Sequence, residues 1–254
     1  MPLSEFLPAN TFGALLVFAR IGSAMMLLPG FGEIYVQQRY RLLFALLLSV
    51  LLLPVLQPIL PRLPGSPGTL TVVLGSEIAI GLFIGTLTRI ILAALQTAGQ
   101  FVSLQIGLSN AQIFNPLEAT SDAIPSTFYG MLGVLLIFLT DLHQVMLRGL
   151  VESYAVFVPG QLPPVVDLTQ TIAHAVAASF RLSTEMAAPF IVLGTVFFVA
   201  LGLIARLVPQ LQVLFVAQPL QIMGGLLLMA AVGSVGMGWF LQIFQEQFRL
   251  VLPG

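Results

Sequence analysis

The chain has 254 residues, of which 58% are hydrophobic and 7% are charged. Soluble domains carry about 25% charged residues, so this composition excludes a soluble globular protein, a disordered chain and a coiled coil. The 9 basic and 10 acidic residues leave a net charge of −1, which excludes the basic surface that nucleic-acid binding requires. The sequence has no lysine and no cysteine, so lysine Schiff-base chemistry, disulfides and thiolate metal sites are excluded as well.

Six apolar stretches are long enough to cross about 30 Å of hydrocarbon as helices. They lie at residues 11–28, 42–56, 70–95, 124–147, 187–207 and 211–241. Stretches of this length exclude an outer-membrane barrel, whose strands are shorter and alternate. No basic segment precedes the first stretch, so we expect it to be retained and not cleaved as a secretory signal. We therefore predict an all-α integral membrane protein with about six long, partly broken hydrophobic helices.

The connections between these stretches are marked by proline and glycine. The segments 61–68 and 149–167 carry several of both and are predicted to be exposed connections. Arginines flank the stretches on both sides, so the excess of positive charge that marks cytoplasmic loops gives no clear orientation. Two interpretations remain: a subunit that does not sit in the bilayer as a standard bundle, or a slightly atypical six-helix protein.

Charged residues inside or beside apolar stretches are costly in lipid and are therefore candidate functional residues. They are Arg20, Glu77, Arg89, Asp141 and Glu185. In the third stretch, every fourth residue forms one ridge of a helix, namely Glu77, Gly81, Gly85 and Arg89. Glu77 and Arg89 lie roughly 18 Å apart along the helix axis, so each needs a partner from elsewhere. The two glycines permit close helix approach. We interpret this ridge as a subunit or helix contact closed at both ends by polar pairs, with a proton or ion relay as the alternative.

Nothing in the sequence favours an enzyme. Asp141 and His143 are two residues apart and do not face the same way on a helix, and His174, the other histidine, lies in a different segment. Phosphate loops, serine nucleophile elbows and HExxH stretches are not found. We predict no catalytic, cofactor or metal site.

The segment 96–122 is rich in amides and hydroxyls and carries no charge before Glu118. Such groups can line a water-filled passage without creating a fixed electric field. The apolar side chains of Ile113 and Phe114 could occlude this passage, since hydrophobic constrictions exclude water. Gly107 loosens the helix before them and Pro116 stops it. An ordinary interhelical loop is the alternative.

A second break lies at 202–212, where proline and amides separate two apolar stretches. Backbone groups freed inside apolar material must be satisfied by protein or water. The break is either a tight hairpin turn or a kink within one crossing.

Several short motifs, spread over nearly the whole chain, are specific in their order and spacing. They are Arg20-Ile21-Gly22, Leu28-Pro29-Gly30-Phe31-Gly32, Gln38-Arg39-Tyr40-Arg41, Phe114-Asn115-Pro116, Phe138-Leu139-Thr140-Asp141-Leu142-His143, Ser153-Tyr154, Val158-Pro159-Gly160, Arg206-Leu207-Val208-Pro209-Gln210 and Pro219-Leu220. In these motifs the chain resembles the FliR family, the R subunits of the flagellar type III export gate. Asn115 stands where that family often has Asp, and Gln144 follows His143 where a second His is common, so we expect no essential charge or His pair there.

The resemblance implies a non-enzymatic membrane subunit without cofactors. It would form the entrance of the export channel for unfolded flagellar substrates with FliP and FliQ, beside FlhB and FlhA, in the flagellar basal body of the bacterial inner membrane. Residues 1–168 would form a FliP-like helical half and residues 169–254 a FliQ-like hairpin that turns near 207–212. Part of the assembly would lie above the bilayer plane.

The resemblance also implies a plug within 107–122 that occludes the channel. Its gating residues would be Gly107, Asn110, Ile113, Phe114, Asn115 and Pro116. The residues expected to contact other subunits are Arg20, Glu77, Gly81, Gly85, Arg89, Arg206, Pro209 and Gln210. Two other functions stay open: a secondary transporter or channel for a small solute, with Arg20, Glu77 or Arg89 at a midplane site, and an injectisome homologue.

Overall fold

The computed structural model of the chain describes residues 3–109, 123–161, 163–207 and 213–251. At 3–9, 213–216 and 249–251 it describes the backbone only. The regular structure of these residues is entirely helical, which confirms the predicted fold class. Seven α-helices and one 3₁₀ turn follow one another along the described ranges. They are α1 (Leu3–Met25), α2 (Gln38–Leu56), the 3₁₀ turn (Gln57–Ile59), α3 (Pro67–Gln105), α4 (Ile124–Leu139), α5 (Leu142–Val156), α6 (Val165–Leu207) and α7 (Val213–Val251).

Four helical segments of the described chain are long and apolar enough to cross a membrane by themselves, at Gln38–Ile59, Pro67–Gln105, Val165–Leu207 and Ala217–Phe248. Helices α4 and α5 together are also long and apolar enough to form a fifth span. This span would be broken, because the two helices meet at a bend of 74°. The first predicted stretch corresponds to α1 and the residues that follow it.

The predicted span at 124–147 is wrong as a single helix. The chain breaks after Leu139, and Asp141 adopts a left-handed backbone with φ of 57° before α5 begins. Hydropathy does not detect this bend because the residues on both sides of it are apolar.

The predicted connection at 149–167 is wrong in its first half. Helix α5 continues to Val156 and buries Gly149, Leu150, Ser153 and Tyr154. Its sequence alternates polar and apolar residues at helical spacing, so it lacks the continuous apolar run by which the other helices were predicted.

The predicted stretch at 187–207 is only the second half of α6, which begins at Val165 and has 43 residues. The first half carries polar residues and was missed by hydropathy. A salt bridge of 2.8 Å between Arg181 Nε and Glu185 Oε1, four residues apart, lies on its surface and is of the kind that supports an exposed helical turn. Glu185, a candidate functional residue, has its partner there.

The chain divides into two compact units. The first unit comprises the described residues of Met1–Ile90, Ile137–Ala175 and Gln245–Gly254, and the second unit those of Ile91–Leu136 and Val176–Phe244. The first unit has a core of aliphatic side chains from α1 and α3, including Leu16, Ile21, Ile80 and Ile84. The core of the second unit includes the aromatic rings of Phe190, Phe240 and Phe244. The division at residue 168 into FliP-like and FliQ-like halves concerns likeness to other proteins and stays a prediction.

Candidate functional site

The glycines of the α3 ridge lie directly against helix α1 in the first unit. A Cβ atom at Gly81 would collide with the backbone oxygen of Arg20 and with Ser23 Oγ. A Cβ atom at Gly85 would lie 2.9 Å from the backbone oxygen of Ala24. These distances are shorter than real side chains show, so the two helices approach closely only because both positions are glycine. The α3 ridge is thus a helix contact within this chain, and its contact with other subunits stays a prediction.

One end of this contact is closed by a buried ion pair. Arg20 Nε on α1 donates a hydrogen bond of 2.7 Å to Glu77 Oε2 on α3. Both side chains are fully buried, with 0% exposure. The partner that the sequence required for Glu77 is therefore Arg20, one of the candidate residues itself.

The remaining polar groups of the pair are satisfied by the end of α5 and the turn that follows it. Arg20 Nη1 donates to the backbone oxygen of Ser153 at 3.1 Å and to its Oγ at 3.3 Å, and Nη2 donates to the backbone oxygen of Phe157 at 3.0 Å. The backbone N–H of Gly160 donates to Glu77 Oε1 at 3.2 Å. We call Arg20, Glu77 and these partners the buried clamp, because it ties α1, α3 and the end of α5 together.

An aromatic ring covers the guanidinium group of the buried clamp. The Cζ atom of Arg20 lies 4.0 Å from the centroid of the Tyr154 ring. A desolvated arginine over an aromatic face gains cation–π energy. Tyr154 Oη is buried and finds no hydrogen-bond partner in the part of the chain that the structure describes.

The electrostatics of the buried clamp favour a fixed structural role. Two charges buried together are tolerated only with good geometry and further hydrogen bonds, and the clamp supplies both. Both carboxylate oxygens of Glu77 accept hydrogen bonds, one from Arg20 on α1 and one from the backbone N–H of Gly160 in the turn after α5. This geometry favours a rigid connection over the proton relay that the sequence left open.

The other end of the α3 ridge is closed by a second, more exposed pair. Arg89 Nη1 donates a hydrogen bond of 3.0 Å to Glu33 Oε1, with side-chain exposures of 36% and 12%. Glu33 lies in the connection between α1 and α2. Partial burial and nearby Glu33 raise the pKa of Tyr35 in the same connection, while Arg89 opposes the shift. The prediction that polar pairs close the ridge at both ends is confirmed.

The sequence did not point to Glu33, Ser153 or Gly160 as partners of these charges. Ser153 lies 133 residues from Arg20, and no periodicity connects positions so distant. The only available signal was that Ser153 and Gly160 belong to the motifs that resemble the FliR family.

Asp141 and His143 lie at the bend between α4 and α5. Asp141 Oδ1 accepts a hydrogen bond of 3.1 Å from Gln144 Nε2. The His143 ring stacks on Phe138 with 5.0 Å between ring centroids. Among the described residues, no three side chains of the metal-binding types come together here or elsewhere.

In the second unit, the end of α3 lies against α6 and α7. Gln221 Nε2 donates a hydrogen bond of 2.7 Å to the backbone oxygen of Gln105. Gly107 has a φ of +81°, in the left-handed region that favours glycine. Gly107 is the one predicted gating residue that the structure describes.

The other predicted plug residues, Asn110, Ile113, Phe114, Asn115 and Pro116, lie outside the described residues. The same holds for Pro209 and Gln210 of the predicted turn. Arg206 lies in the last turn of α6 and is exposed. The structure therefore unites Arg20, Glu77, Gly81 and Gly85 in one site of the first unit.

Comparisons with known proteins agree with one family over nearly the whole length. Residues 11–247 match the family model of the bacterial export proteins, family 1. The chain is 40% identical to the flagellar biosynthetic protein FliR of Caulobacter vibrioides over 91% of its own length and 92% of the relative's. It is 30% identical to FliR of Bacillus subtilis, covering 82% of this chain and 81% of the relative. It is 25% identical to FliR of Pectobacterium carotovorum, covering 92% and 89% respectively.

Proposed function

Because this chain belongs to the FliR family of bacterial export proteins, and is thus a membrane component of flagellar protein export, we propose that it is the R subunit of the type III export gate. In this role it is present as a single copy, joins FliP and FliQ around the channel entrance, and works beside FlhA and FlhB in the inner membrane at the flagellar basal body. It carries out no reaction of its own. Unfolded substrates pass with energy supplied elsewhere.

The observation that carries this proposal is the length of uncovered apolar surface on α6. In the second unit, Phe180 is 58% exposed and Leu207 is 80% exposed. They are 27 residues apart along one helix, which corresponds to about 40 Å, whereas the hydrocarbon layer is about 30 Å thick. Arg181, beside Phe180, has a side chain that is 78% exposed, and a charge of this kind avoids the hydrocarbon. An upright helix therefore leaves at least one of these two exposed side chains outside the hydrocarbon, and partner subunits are the natural cover.

Two other helices also carry uncovered apolar surface. In the most apolar 18 residues, only 17% are buried both in the α2 segment and in α7, and 22% in α6. In the second unit, an apolar groove of about 600 Å³ lies between α4 and α7, with Leu132, Leu136, Met229 and Gly233 among its lining residues. Large apolar surfaces are covered either by lipid or by other protein chains. They fit a subunit that packs against helices of similar character.

The residues that follow α3 are proposed to close the resting channel. Gly107, Asn110, Ile113, Phe114, Asn115 and Pro116 act as the plug, and the apolar pair Ile113 and Phe114 excludes water from the resting channel. The support for this assignment is the sequence of the segment, its resemblance to the family, and the glycine turn at Gly107. Arg206, Pro209 and Gln210, and the residues of the α3 ridge, are proposed to help hold the neighbouring subunits.

Affinity purification through a tag on this chain, followed by native mass spectrometry, tests the proposal. We expect one copy of the chain in a complex with several copies of FliP and FliQ, and aggregation when it is produced alone. A solitary, stable chain that takes up a small solute in liposomes would contradict the proposal and favour a transporter.

A further inference from the structure

Residues 105–107, at the end of α3 and in the turn that follows it, fit into a socket built by α6 and α7 in the second unit. Three residues form this α3 socket. They are Gly194 of α6 and Gln221 and Gly225 of α7. Ile106, at the centre of this stretch, is 2% exposed. The chain is therefore tightly packed at the point where it leaves α3.

Gly225 makes the tightest contact of the socket. A Cβ atom at this position would lie 2.6 Å from Ile106 Cβ and still closer to Ile106 Cγ2. Ile106 is branched at Cβ and has few alternative rotamers, so it cannot swing away as a long side chain would. Any side chain at position 225 must displace the end of α3 itself.

Gly194 of α6 packs against Gln105, the last residue of α3. A Cβ atom at Gly194 would lie 3.2 Å from the backbone oxygen of Gln105 and 3.4 Å from its Cβ. The backbone of α3 thus lies close to the backbone of α6 at this point, as at helix contacts made through glycine.

Gln221 completes the socket with a polar contact. The last carbonyl groups of an α-helix have no partner within the helix, and Gln221 Nε2 satisfies that of Gln105 at 2.7 Å. Gly107 then ends the helix in a left-handed conformation, as glycine does at many helix ends. Directly after it, Ser109 Oγ and Ser103 Oγ lie 3.0 Å apart in a hydrogen bond.

We propose that the α3 socket is a fixed anchor for the segment that follows it. Residues 105–107 stay in contact with α6 and α7 in both the resting and the exporting gate. Gly194, Gln221 and Gly225 are positioning residues, which act by fixing the place and direction in which the chain leaves α3. This inference rests on the proposed function, in which the residues after Gly107 close the resting channel.

A pair of neighbouring glycines gives a matched test of the anchor. Gly225→Ala must displace Ile106, whereas a Cβ atom at Gly224 would meet nothing within 4 Å, so Gly224→Ala is its control. Both changes raise helix propensity equally. With equal amounts of assembled gate, we expect Gly225→Ala to increase the ion leak of resting cells several-fold and Gly224→Ala to leave it unchanged. Equal leak in the two variants would overturn the inference.

A disulfide tests whether the anchor stays closed during export. The chain has no native cysteine, and the separation of 3.4 Å between Gln105 Cβ and the Cβ position at Gly194 is close to the about 3.8 Å of natural disulfides. Gln105→Cys combined with Gly194→Cys should oxidise readily in the assembled gate, and export should continue at the rate of the single-cysteine variants. If the disulfide does not form, or if it stops export until a reductant is added, the end of α3 is not a fixed anchor.

Shortening of residues 108–115 separates this inference from the proposed function. If the shortened gate stays ion-tight, the plug assignment fails, and with it the role of the anchor. If the shortened gate leaks but Gly225→Ala does not, only the anchor is wrong.

Discussion

Helices α3 and α7 have the same length and similar hydropathy but opposite surroundings. Each has 39 residues, and their most apolar windows have mean hydropathies of 2.2 and 1.8. In these windows, 61% of residues are buried in the segment of α3 but only 17% in that of α7. Hydropathy therefore shows that both helices avoid water, but it does not show which of them is covered by its own chain.

The glycines of the two helices show the same difference. Gly81 and Gly85 of α3 lie against the backbone of α1, whereas in α7 Gly225 lies against the side chain of Ile106 and Gly236 against that of Met186. At Gly233 and Gly238 of α7, a Cβ atom would meet nothing within 4 Å. In α3, close packing is completed within the chain by charged pairs at both ends of the ridge. In α7, open glycines and apolar side chains form the kind of surface that a neighbouring helix covers.

The largest effect should come from breaking the buried clamp. Glu77→Leu leaves Arg20 charged, buried and without its carboxylate, which costs about 3–5 kcal/mol of folding free energy. Chemical denaturation of the purified gate should show this loss as a lower midpoint. The double variant Arg20→Met with Glu77→Leu should recover much of the stability, because it removes both charges. If the single variant is as stable as the parent, the clamp does not hold α1 and α3 together.

The next largest effect should come from filling the glycine contact. Gly81→Leu forces a side chain into the backbone of α1, and overpacking of this kind costs about 1–3 kcal/mol or more. Gly75→Leu is the matched control on the same helix, since a Cβ atom at Gly75 would meet nothing within 4 Å. We expect Gly81→Leu to abolish the recovery of assembled gate in affinity purification. Gly75→Leu should leave this recovery unchanged, because it preserves the contact between α1 and α3. Equal recovery of the two variants would mean that the close approach is unimportant.

The smallest effect should come from the exposed pair at the other end of the ridge. Arg89→Gln removes an ion pair with a partly exposed side chain, and such pairs contribute about 0–1 kcal/mol. The loss should shrink further at high salt, because exposed charges are screened. Denaturation midpoints at low and high salt measure both effects. A loss of stability as large as that caused by Glu77→Leu would show that the exposed pair contributes as much to stability as the buried pair, contrary to this prediction.

The sequence was sufficient for the features that depend on local spacing. The long apolar runs predicted α2, α3 and much of α7, and the spacing of four residues predicted the glycine contact of α3. The amphipathic α5 and the first half of α6 were missed because their polar residues lower the hydropathy. The partners of the charges were missed for another reason: Glu33 and Ser153 are distant from Arg89 and Arg20 in sequence, and only the packed fold brings them together. The plug residues beyond Gly107 remain a prediction.

The central claim is that partner subunits, and not lipid alone, cover the exposed apolar side chains along α6. Photo-reactive amino acids placed singly at Phe180, Val196 and Leu207, all exposed on this helix, test it in intact cells. The account predicts adducts with FliP or FliQ from at least one of the two end positions, because these ends lie farther apart than the hydrocarbon is thick. Adducts with lipid alone at all three positions, or no protein adduct at any of them, would contradict it.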